Sequence, residues 1–226
     1  MSNRSSNSEP TDSRQIDPKQ IDPKNERIAN PRIGIIVPTL LEQKCLSRRG
    51  EKVDYQVISG MGKVNAALAT ARAILYEECD VVLLVGFCGG GGEFEIGDVV
   101  HPAMLVEADF DAGTLEPPRS EKIERAHVMP GYNATFLTID KFLKCIDGLS
   151  MWSLRSIVEM EAWGALQACR RFGAQFESIR VVSDIVGANT EGDFLEACKK
   201  LGPVLAGAVD QAVKSIREWH NGEEKN

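Results

Sequence analysis

The sequence predicts an α/β fold, a three-layer αβα sandwich around a mixed central β-sheet. Short apolar runs alternate with segments of helical periodicity from Arg32 onward, as in proteins that layer helices on a sheet. The segment 80–86 has the continuous apolar character of a strand covered on both faces. With 226 residues, of which 43% are hydrophobic and 26% charged, the chain has the size of one globular domain with a substantial core.

The elements follow from the hydrophobic pattern. Strands are predicted at 33–37, 55–59, 80–86, 97–107, 134–139, 154–160 and 177–183, and helices at 62–78, 141–146, 161–172 and 191–218. In the helix at 62–78, one buried face is predicted from residues at helical spacing: Val64, Ala67, Leu68, Ala71, Ile74 and Leu75. Gly202-Pro203 is expected to break or kink the last helix.

The N-terminal segment differs from the rest of the chain. Residues 1–30 are rich in Ser, Asn, Asp and Pro and contain a tandem repeat of Gln-Ile-Asp-Pro-Lys at 15–19 and 20–24. Such a segment buries too little apolar surface to offset the entropy of ordering, which predicts a disordered tail, with a docking peptide as the alternative. Residues 31–226 are then expected to form a single domain.

Charge and cysteine usage narrow the partners. A formal net charge of −7 provides no basic field for a polyphosphate backbone, so nucleic-acid binding is disfavoured and a small-molecule substrate is favoured. The six cysteines stand singly, without CxxC pairs, which argues against a zinc site or a disulfide framework and for reduced thiols in the cytoplasm. No apolar run approaches the roughly 20 residues that span a bilayer, so no membrane association is expected.

Carboxylates at two places combine charge with an apolar context. Glu42 follows the strand that ends at Val37, where it could act as a base toward water or simply open a surface helix. Glu159 and Glu161 flank Met160 where a strand runs into a helix. Residues two apart in a strand share a face, so both acids could line one cavity; alternatively, both stabilise the start of the helix.

A cation and a glycine run complete the set of candidates. Arg180 lies inside an apolar strand that ends in Ser183-Asp184. A buried arginine requires a carboxylate partner, for which Glu42 or Glu161 would serve, whereas Asp184 could be a cap for the next segment. The run from Gly86 to Gly92 permits close approach of a ligand to the backbone but lacks the pattern of a nucleotide-binding loop.

Taken in order, six segments of the chain resemble the nucleoside phosphorylase and nucleosidase superfamily, and most closely the 5′-methylthioadenosine/S-adenosylhomocysteine nucleosidases. The segments are IGII at 33–36 followed by Glu42, GMGKVNAA at 60–67, GFCGG at 86–90, IGDVV at 96–100, VEMEA at 158–162 and RVVSD at 180–184. The resemblance covers nearly the whole chain from Arg32 onward. It implies a catalytic domain that hydrolyses the N-glycosidic bond of a purine nucleoside, releases adenine in methionine salvage, needs no cofactor and forms a homodimer.

The resemblance also assigns roles to individual residues. Asp184 aligns with the acid that protonates purine position 7, and Ser183 with the serine that orients it. Glu42 and Arg180 align with residues that hold and activate the attacking water, and Glu161 with the glutamate that binds the ribose hydroxyls. The remaining substrate-binding candidates are Met160 beneath the sugar, Phe142 and Leu143 at the base, Phe194 at the 5′ side, and Glu159, Phe87, Cys88 and Gly89.

These assignments agree with the chemistry of glycosidic cleavage. Departure of a purine leaves an oxocarbenium-like sugar, so the site needs an acid at the base, negative charge near the ribose and a poised nucleophile. Asp184, Glu161 and Glu42 meet these three demands. For Asp184 to donate a proton near neutrality its pKa must be raised, which burial beside other carboxylates would do.

The choice between water and phosphate depends on a few positions. Similar phosphorylases place an arginine before the glycine turn and a hydroxyl within it, where this chain has Leu84 and Phe87. A phosphate dianion would be poorly compensated there, so hydrolysis is predicted, with a purine nucleoside phosphorylase or a non-catalytic nucleoside-binding protein as the alternatives. Phe87 also replaces a serine that is usual in the nucleosidases. Between Asp111 and Asp140 the chain is shorter than its relatives, in a region that helps to build the 5′ pocket.

Overall fold

The structure, a computed structural model, describes residues 27–116, 119–143, 153–186 and 193–222. Its strands are β1 (Ile33–Val37), β2 (Tyr55–Ile58), β3 (Val81–Gly90), β4 (Val99–Glu107), β5 (Ser120–Lys122), β6 (Tyr132–Thr138), β7 (Ser156–Glu159) and β8 (Gln175–Ile185). Its helices are α1 (Leu40–Cys45), α2 (Lys63–Leu75), α3 (Ala162–Phe172) and α4 (Asp193–His220), with a 3₁₀ turn at Leu46–Arg48.

The strands form one mixed sheet in the order β2-β1-β3-β7-β6-β4-β5, and β8 pairs with both β3 and β4. Strands β2, β1, β3 and β8 run parallel to one another, whereas β7 is antiparallel to β3 and β4 is antiparallel to β8. The five strands β3, β7, β6, β4 and β8 therefore close a ring within the sheet. The predicted fold class, helices around a mixed central sheet, is confirmed.

Helices cover the two faces of the parallel strands. Alternation along β1 sends Ile33 and Ile35 to the apolar core that contains α4 and Ile36 to the core that contains α2 and α3. Gly164 allows α3 to approach α2 closely, because a Cβ there would overlap the carbonyl oxygen of Lys63. The carboxyl ends of β1, β3 and β8 consequently meet at one edge, between the helical layers.

Helix α2 corrects one sequence-based expectation. Its buried residues are Ala66, Thr70 and Ala73, whereas Val64 and Leu68, which were predicted to face the core, are 70% and 66% exposed. The small residues allow α2 to pack closely against its neighbours, so the larger apolar side chains are turned outward. Periodicity therefore predicted the helix correctly but assigned its buried face wrongly.

Four other predictions differ from the structure. Residues 141–143 are not helical, and the rest of the helix predicted at 141–146 lies outside the described residues. Strand β3 continues through the glycine run to Gly90, because the glycines pair with β7 and β8. Helix α4 is not broken at Pro203. Strand β5 was not predicted; its three residues, two of them exposed, give little periodic signal.

Residues 1–26 of the predicted tail, which include the N-terminal repeat, lie outside the described residues. The backbone N–H of Ile28 donates to His220 Nδ1 at 3.0 Å, and that of Asn30 donates to the side-chain oxygen of Asn221 at 3.3 Å. The last residues of the segment 1–30 therefore contact the end of α4. None of the helices in the described ranges is long and apolar enough to cross a membrane.

A buried polar cluster lies near the beginning of β8. Glu177 accepts a hydrogen bond of 2.6 Å from Arg125 Nε, and His127 Nε2 lies 3.5 Å from its other oxygen. Arg125 Nη1 is 3.3 Å from His101 Nδ1 and donates to the carbonyl of Pro102 at 2.7 Å. The side chains of Arg125, His127 and Glu177 are at most 7% exposed, and this buried group is called the Glu177 cluster.

Candidate active site

A cavity of about 270 Å³ opens at the carboxyl ends of β1, β3 and β8. Its walls come from segments far apart in the chain, because the sheet brings the ends of these strands together. The lining residues are Pro38, Thr39, Glu42, Met61, Phe87, Cys88, Gly89, Lys141, Phe142, Leu143, Val158, Glu159, Met160, Glu161, Ser183, Asp184 and Val186. All of the sequence-predicted site residues line it except Arg180, which lies behind the wall, and Phe194, whose side chain lies outside the described residues.

Arg180 is the central cation of the site and is completely buried. Its Nη2 donates to Glu159 Oε2 at 2.8 Å and to Glu161 Oε2 at 3.1 Å. Burial lowers the pKa of Arg180, but the carboxylates of Glu159, Glu161 and Glu42 more than offset this, so the pKa lies above its usual value. Arg180 Nε and Nη1 have no hydrogen-bond partner among the described residues.

Glu159 and Glu161 both border the cavity but have different surroundings. Glu159 accepts hydrogen bonds from the Thr138 hydroxyl and from the backbone N–H groups of Glu161 and Ala162, the latter two at 2.8 and 2.7 Å. It therefore anchors the start of α3, one of the two roles that the sequence left open. Glu161 accepts from the Gly62 N–H at 3.0 Å as well as from Arg180.

Burial gives Glu161 an unusual affinity for protons. Burial raises the pKa of Glu161, the Arg180 cation lowers it, and the carboxylates of Glu159 and Glu42 raise it. The resulting pKa is about 7. The protonated and ionised forms of Glu161 are therefore both populated near neutral pH. A carboxyl group in this state can either accept or donate a hydrogen bond toward the cavity.

Glu42 lies in the first turn of α1 yet is only 3% exposed. The backbone N–H of Phe87 donates to its Oε1 at 3.1 Å, and the Thr39 hydroxyl donates to its Oε2 at 2.7 Å. Burial raises the pKa of Glu42 above its usual value, opposed by the Arg180 cation and by these hydrogen bonds. Glu42 Oε1 and Arg180 Nη1 both lie beside the α-carbon of Gly86, where a Cβ would overlap each of them.

A bulge between β3 and β8 places Ser183 and Asp184 at the cavity. Cys88 pairs with Val182 and Gly89 with Asp184, so Ser183 is the additional residue on β8. Ser183 Oγ lies 2.7 Å from Asp184 Oδ1 and 3.1 Å from the carbonyl oxygen of Cys88. The Ser183 hydroxyl has one proton, so it can donate to either of these oxygens but not to both at once.

The side of the cavity opposite Glu42 is formed by the residues after β6. Phe142 is 52% exposed at the rim, beside Lys141 and Leu143. The preceding residue, Asp140, accepts a hydrogen bond of 2.9 Å from the Lys63 N–H and donates its own N–H to Asp109 at 2.7 Å. The start of this segment is thus fixed to the first turn of α2.

Several lining residues were not singled out from the sequence. Thr39 is detectable in retrospect, since Thr39-x-x-Glu42 is the capping-box pattern of a helix start. Met61 lies between two glycines with positive φ, Gly60 and Gly62, a signal for an exposed turn. Lys141 and Val186 carry no local signal. Within the described ranges, no group of three or more His, Cys, Asp and Glu side chains is arranged to hold a metal ion.

Comparisons with known proteins agree with this architecture. The family model described as Phosphorylase superfamily matches residues 45–147, which indicates the class of protein. A 5′-methylthioadenosine/S-adenosylhomocysteine nucleosidase of Tolumonas auensis is 30% identical over an alignment 186 residues long, which covers 70% of this chain and 81% of the relative. The chain belongs to the 5′-methylthioadenosine/S-adenosylhomocysteine nucleosidase family.

Solved structures share the fold. The nucleosidase of Helicobacter pylori with butyl-thio-DADMe-Immucillin-A has a TM-score of 0.69 at 18% identity, covering 81% of this chain and 98% of that one. A futalosine hydrolase mutant of Helicobacter pylori has a TM-score of 0.68 at 17% identity, covering 81% of this chain and 99% of that one. The fold is therefore shared by enzymes with differently named substrates.

Proposed function

We propose that this protein hydrolyses the N-glycosidic bond of 5′-methylthioadenosine or S-adenosylhomocysteine and releases adenine, as a step of methionine salvage. The observation that carries the proposal is the convergence of Glu42, Glu161, Asp184 and the buried Arg180 on one cavity. Family membership supports the reaction class, and the geometry supports the roles of the individual residues.

Asp184 is the proposed general acid. Protonation of the purine at position 7 makes the base a neutral leaving group, which requires a carboxylic acid that can donate a proton near neutral pH. Asp184 lies on the cavity wall with its Oδ1 2.7 Å from the Ser183 hydroxyl. Ser183 is proposed to orient the carboxyl group, and Phe142 and Leu143, which also line the cavity, are proposed to contact the base.

The charge of the cavity favours the developing sugar cation. Besides the proposed acid Asp184, the carboxyl groups of Glu42, Glu159 and Glu161 border it. Ionised carboxylates near the ring stabilise an oxocarbenium-like sugar. Glu161 is proposed to bind the ribose hydroxyls, and Met160 is proposed to lie beneath the ring.

Water is the proposed nucleophile. Glu42 Oε1 and Arg180 Nη1 both lie beside the α-carbon of Gly86, and Nη1 is a buried donor without a protein partner among the described residues. A water molecule bound here could donate to the carboxylate and accept from the guanidinium, which would fix its lone pair toward the sugar. Glu42 would then accept the proton that the water loses.

Phosphate is the less favourable nucleophile at the same position. Leu84 stands where similar phosphorylases have an arginine, and its side chain is apolar and completely buried in the core between the sheet and helices α2 and α3. This position therefore offers no cation to a phosphate. The Phe87 backbone N–H is already bonded to Glu42. A dianion would thus face carboxylates, with Arg180 Nη2 already shared by two of them.

The test is incubation of the purified protein with 5′-methylthioadenosine, S-adenosylhomocysteine, adenosine and inosine, each with and without phosphate. We expect free adenine from the first two, at a rate independent of phosphate. Release only in the presence of phosphate would identify a phosphorylase and refute hydrolysis. Binding of the nucleosides without release of base would identify a binding protein and refute the enzymatic proposal.

We also propose that the protein forms a homodimer through the outward face of α2. Met61, Val64 and Leu68 are 61%, 70% and 66% exposed, an apolar grouping at helical spacing. Such a surface is typical of association sites. Because Met61 also lines the cavity, a second copy on this face would border the mouth of the site.

Light scattering on the purified protein tests the dimer. We expect Leu68→Glu to convert a dimer into a monomer, because association would bury the new charge. The matched control is Lys199→Glu, on the exposed side of α4, which should remain dimeric. A monomeric wild-type protein at micromolar concentration would refute the proposal.

The five described cysteines are free, which supports a cytoplasmic location.

A further inference from the structure

Thr39 makes two hydrogen bonds with the same glutamate. Its Oγ1 accepts from the backbone N–H of Glu42 at 3.2 Å, as an N-cap of α1, and its hydroxyl donates to Glu42 Oε2 at 2.7 Å. The backbone of Thr39 also lowers the pKa of the Glu42 side chain. One residue therefore controls both the start of the helix and the direction of the carboxylate that the helix carries.

The position of Thr39 makes this relevant to the cavity. Thr39 lines the cavity, is partly buried and donates its hydroxyl to Glu42, so it connects this carboxylate to the cavity wall. Phe87 contributes only its backbone N–H to Glu42, and its ring packs in the core beside α4. Among the described residues, Thr39 supplies the side-chain hydroxyl that holds Glu42.

We propose that Thr39 is a positioning residue that orients Glu42 for activation of the attacking water and keeps it ionised. This inference rests on the proposed hydrolysis. The reciprocal hydrogen bonds restrict Glu42 to one rotamer, with Oε1 beside Gly86 and Oε2 on Thr39. A hydroxyl that donates to the ionised carboxylate stabilises that form over the protonated acid.

The other charged groups around Glu42 act in different directions. Arg180 favours its ionised form, whereas burial favours the protonated form. Glu161 shares the cavity and interacts electrostatically with Glu42, as do the thiols of Cys45 and Cys198 behind α1. Removal of the Thr39 hydroxyl leaves burial less opposed.

The decisive variants are Thr39→Val, which keeps the shape and removes the hydroxyl, and Thr39→Ser, which restores the hydroxyl. For Thr39→Val we expect kcat/KM at pH 7 to fall on the order of ten-fold, the factor for one hydrogen bond to a charged group. The acid limb of its pH profile should move to higher pH, because more Glu42 is protonated. Thr39→Ser should restore most of the rate and the wild-type limb.

Two controls separate the proposed role of Thr39 from the general loss of a hydroxyl and from the loss of the helix cap. Thr70→Val is a matched substitution within α2, at a buried hydroxyl without a partner among the described residues; we expect it to leave both rate and pH profile unchanged. Urea unfolding of Thr39→Val measures the loss of stability from the missing cap. A loss of capping would lower stability but would not move the acid limb.

A readout independent of turnover is the titration of Glu42 followed by carboxyl ¹³C NMR. We expect its midpoint to rise in Thr39→Val and to match the wild type in Thr39→Ser. An unchanged midpoint in Thr39→Val would overturn the role of Thr39, whatever its rate. Absence of adenine release by the wild type at any pH would instead refute the proposed function, so the two failures are distinguishable.

Discussion

Strand β8 carries charged residues toward both ends, and the two ends use them differently. At its beginning, Glu177 is paired with Arg125 at 2.6 Å inside the enclosed Glu177 cluster. At its end, Asp184 faces a cavity in which carboxylates outnumber cations. The two acids are seven residues apart, about 23 Å at the rise of an extended strand. At the beginning of β8 the buried negative charge is paired with a protein cation. At its end, part of the negative charge has no protein counter-charge and is available to interact with a ligand.

The comparison teaches which buried charges act in function. A carboxylate that lies away from the cavity and pairs with a buried cation, such as Glu177, contributes to the folded state. A carboxylate that lines the cavity and shares its counter-charge with another acid, such as Glu161, is only partly neutralised by protein groups. A bound substrate can therefore change its electrostatic environment. Substitution at the two ends of β8 should therefore affect different measurements.

The largest effect is expected for Asp184→Asn. The amide cannot protonate the leaving base, so kcat should fall on the order of 10³-fold. The fold should persist, because asparagine can still accept from the Ser183 hydroxyl. Adenine release measures the first statement and urea unfolding the second. A rate close to that of the wild type would remove the general-acid role from Asp184.

Glu177→Gln should have the opposite outcome. Loss of the carboxylate leaves Arg125 buried without its counter-charge, which should lower the free energy of unfolding by about 3 kcal/mol. The rate of adenine release per folded molecule should not change, because Glu177 does not line the cavity. A stable but inactive variant would contradict the separation of the two ends.

The pH dependence of the free energy of unfolding should differ between Glu161→Gln and the wild type. Because burial raises the pKa of Glu161 from 4.5 to about 7, the folded chain retains a proton between these values that the unfolded chain has lost. The contribution of Glu161 to stability therefore decreases as pH rises from 4.5 to 7. In urea unfolding, the wild type should lose stability relative to Glu161→Gln across this range. A constant difference would indicate that Glu161 is not protonated in the folded state.

A change of similar size but opposite sign is expected for His101→Gln. Burial, with the charges of Arg125 and His127, lowers the pKa of His101 from 6.5 to about 4. Between these values the unfolded chain binds a proton that the folded chain does not, so stability is lost as pH falls from 6.5 to 4. The wild type should weaken relative to the variant over this range. A difference that grew with falling pH in favour of the wild type would contradict it.

Much of this arrangement was predictable from the sequence, for identifiable physical reasons. Strand β1 and the strand ending at Asp184 carry dense apolar runs, and the carboxylates at their ends therefore stood out against that background. The outward face of α2 was not predictable, since periodicity shows that an apolar face exists but not what covers it. Glu159 and Glu161 have the same chemistry in sequence, and only the positions of Thr138, Arg180 and the start of α3 distinguish their surroundings.

Gly86 sets a limit on how this site can vary. Its φ is not unusual; what matters is the volume that a side chain would take from Arg180 and Glu42. Even a methyl group would push the guanidinium and the carboxylate apart, at a position where neither can retreat into solvent. Phe142 at the rim is 52% exposed and is under no such restriction, whereas the close approach of Arg180 and Glu42 to the backbone requires a glycine at position 86.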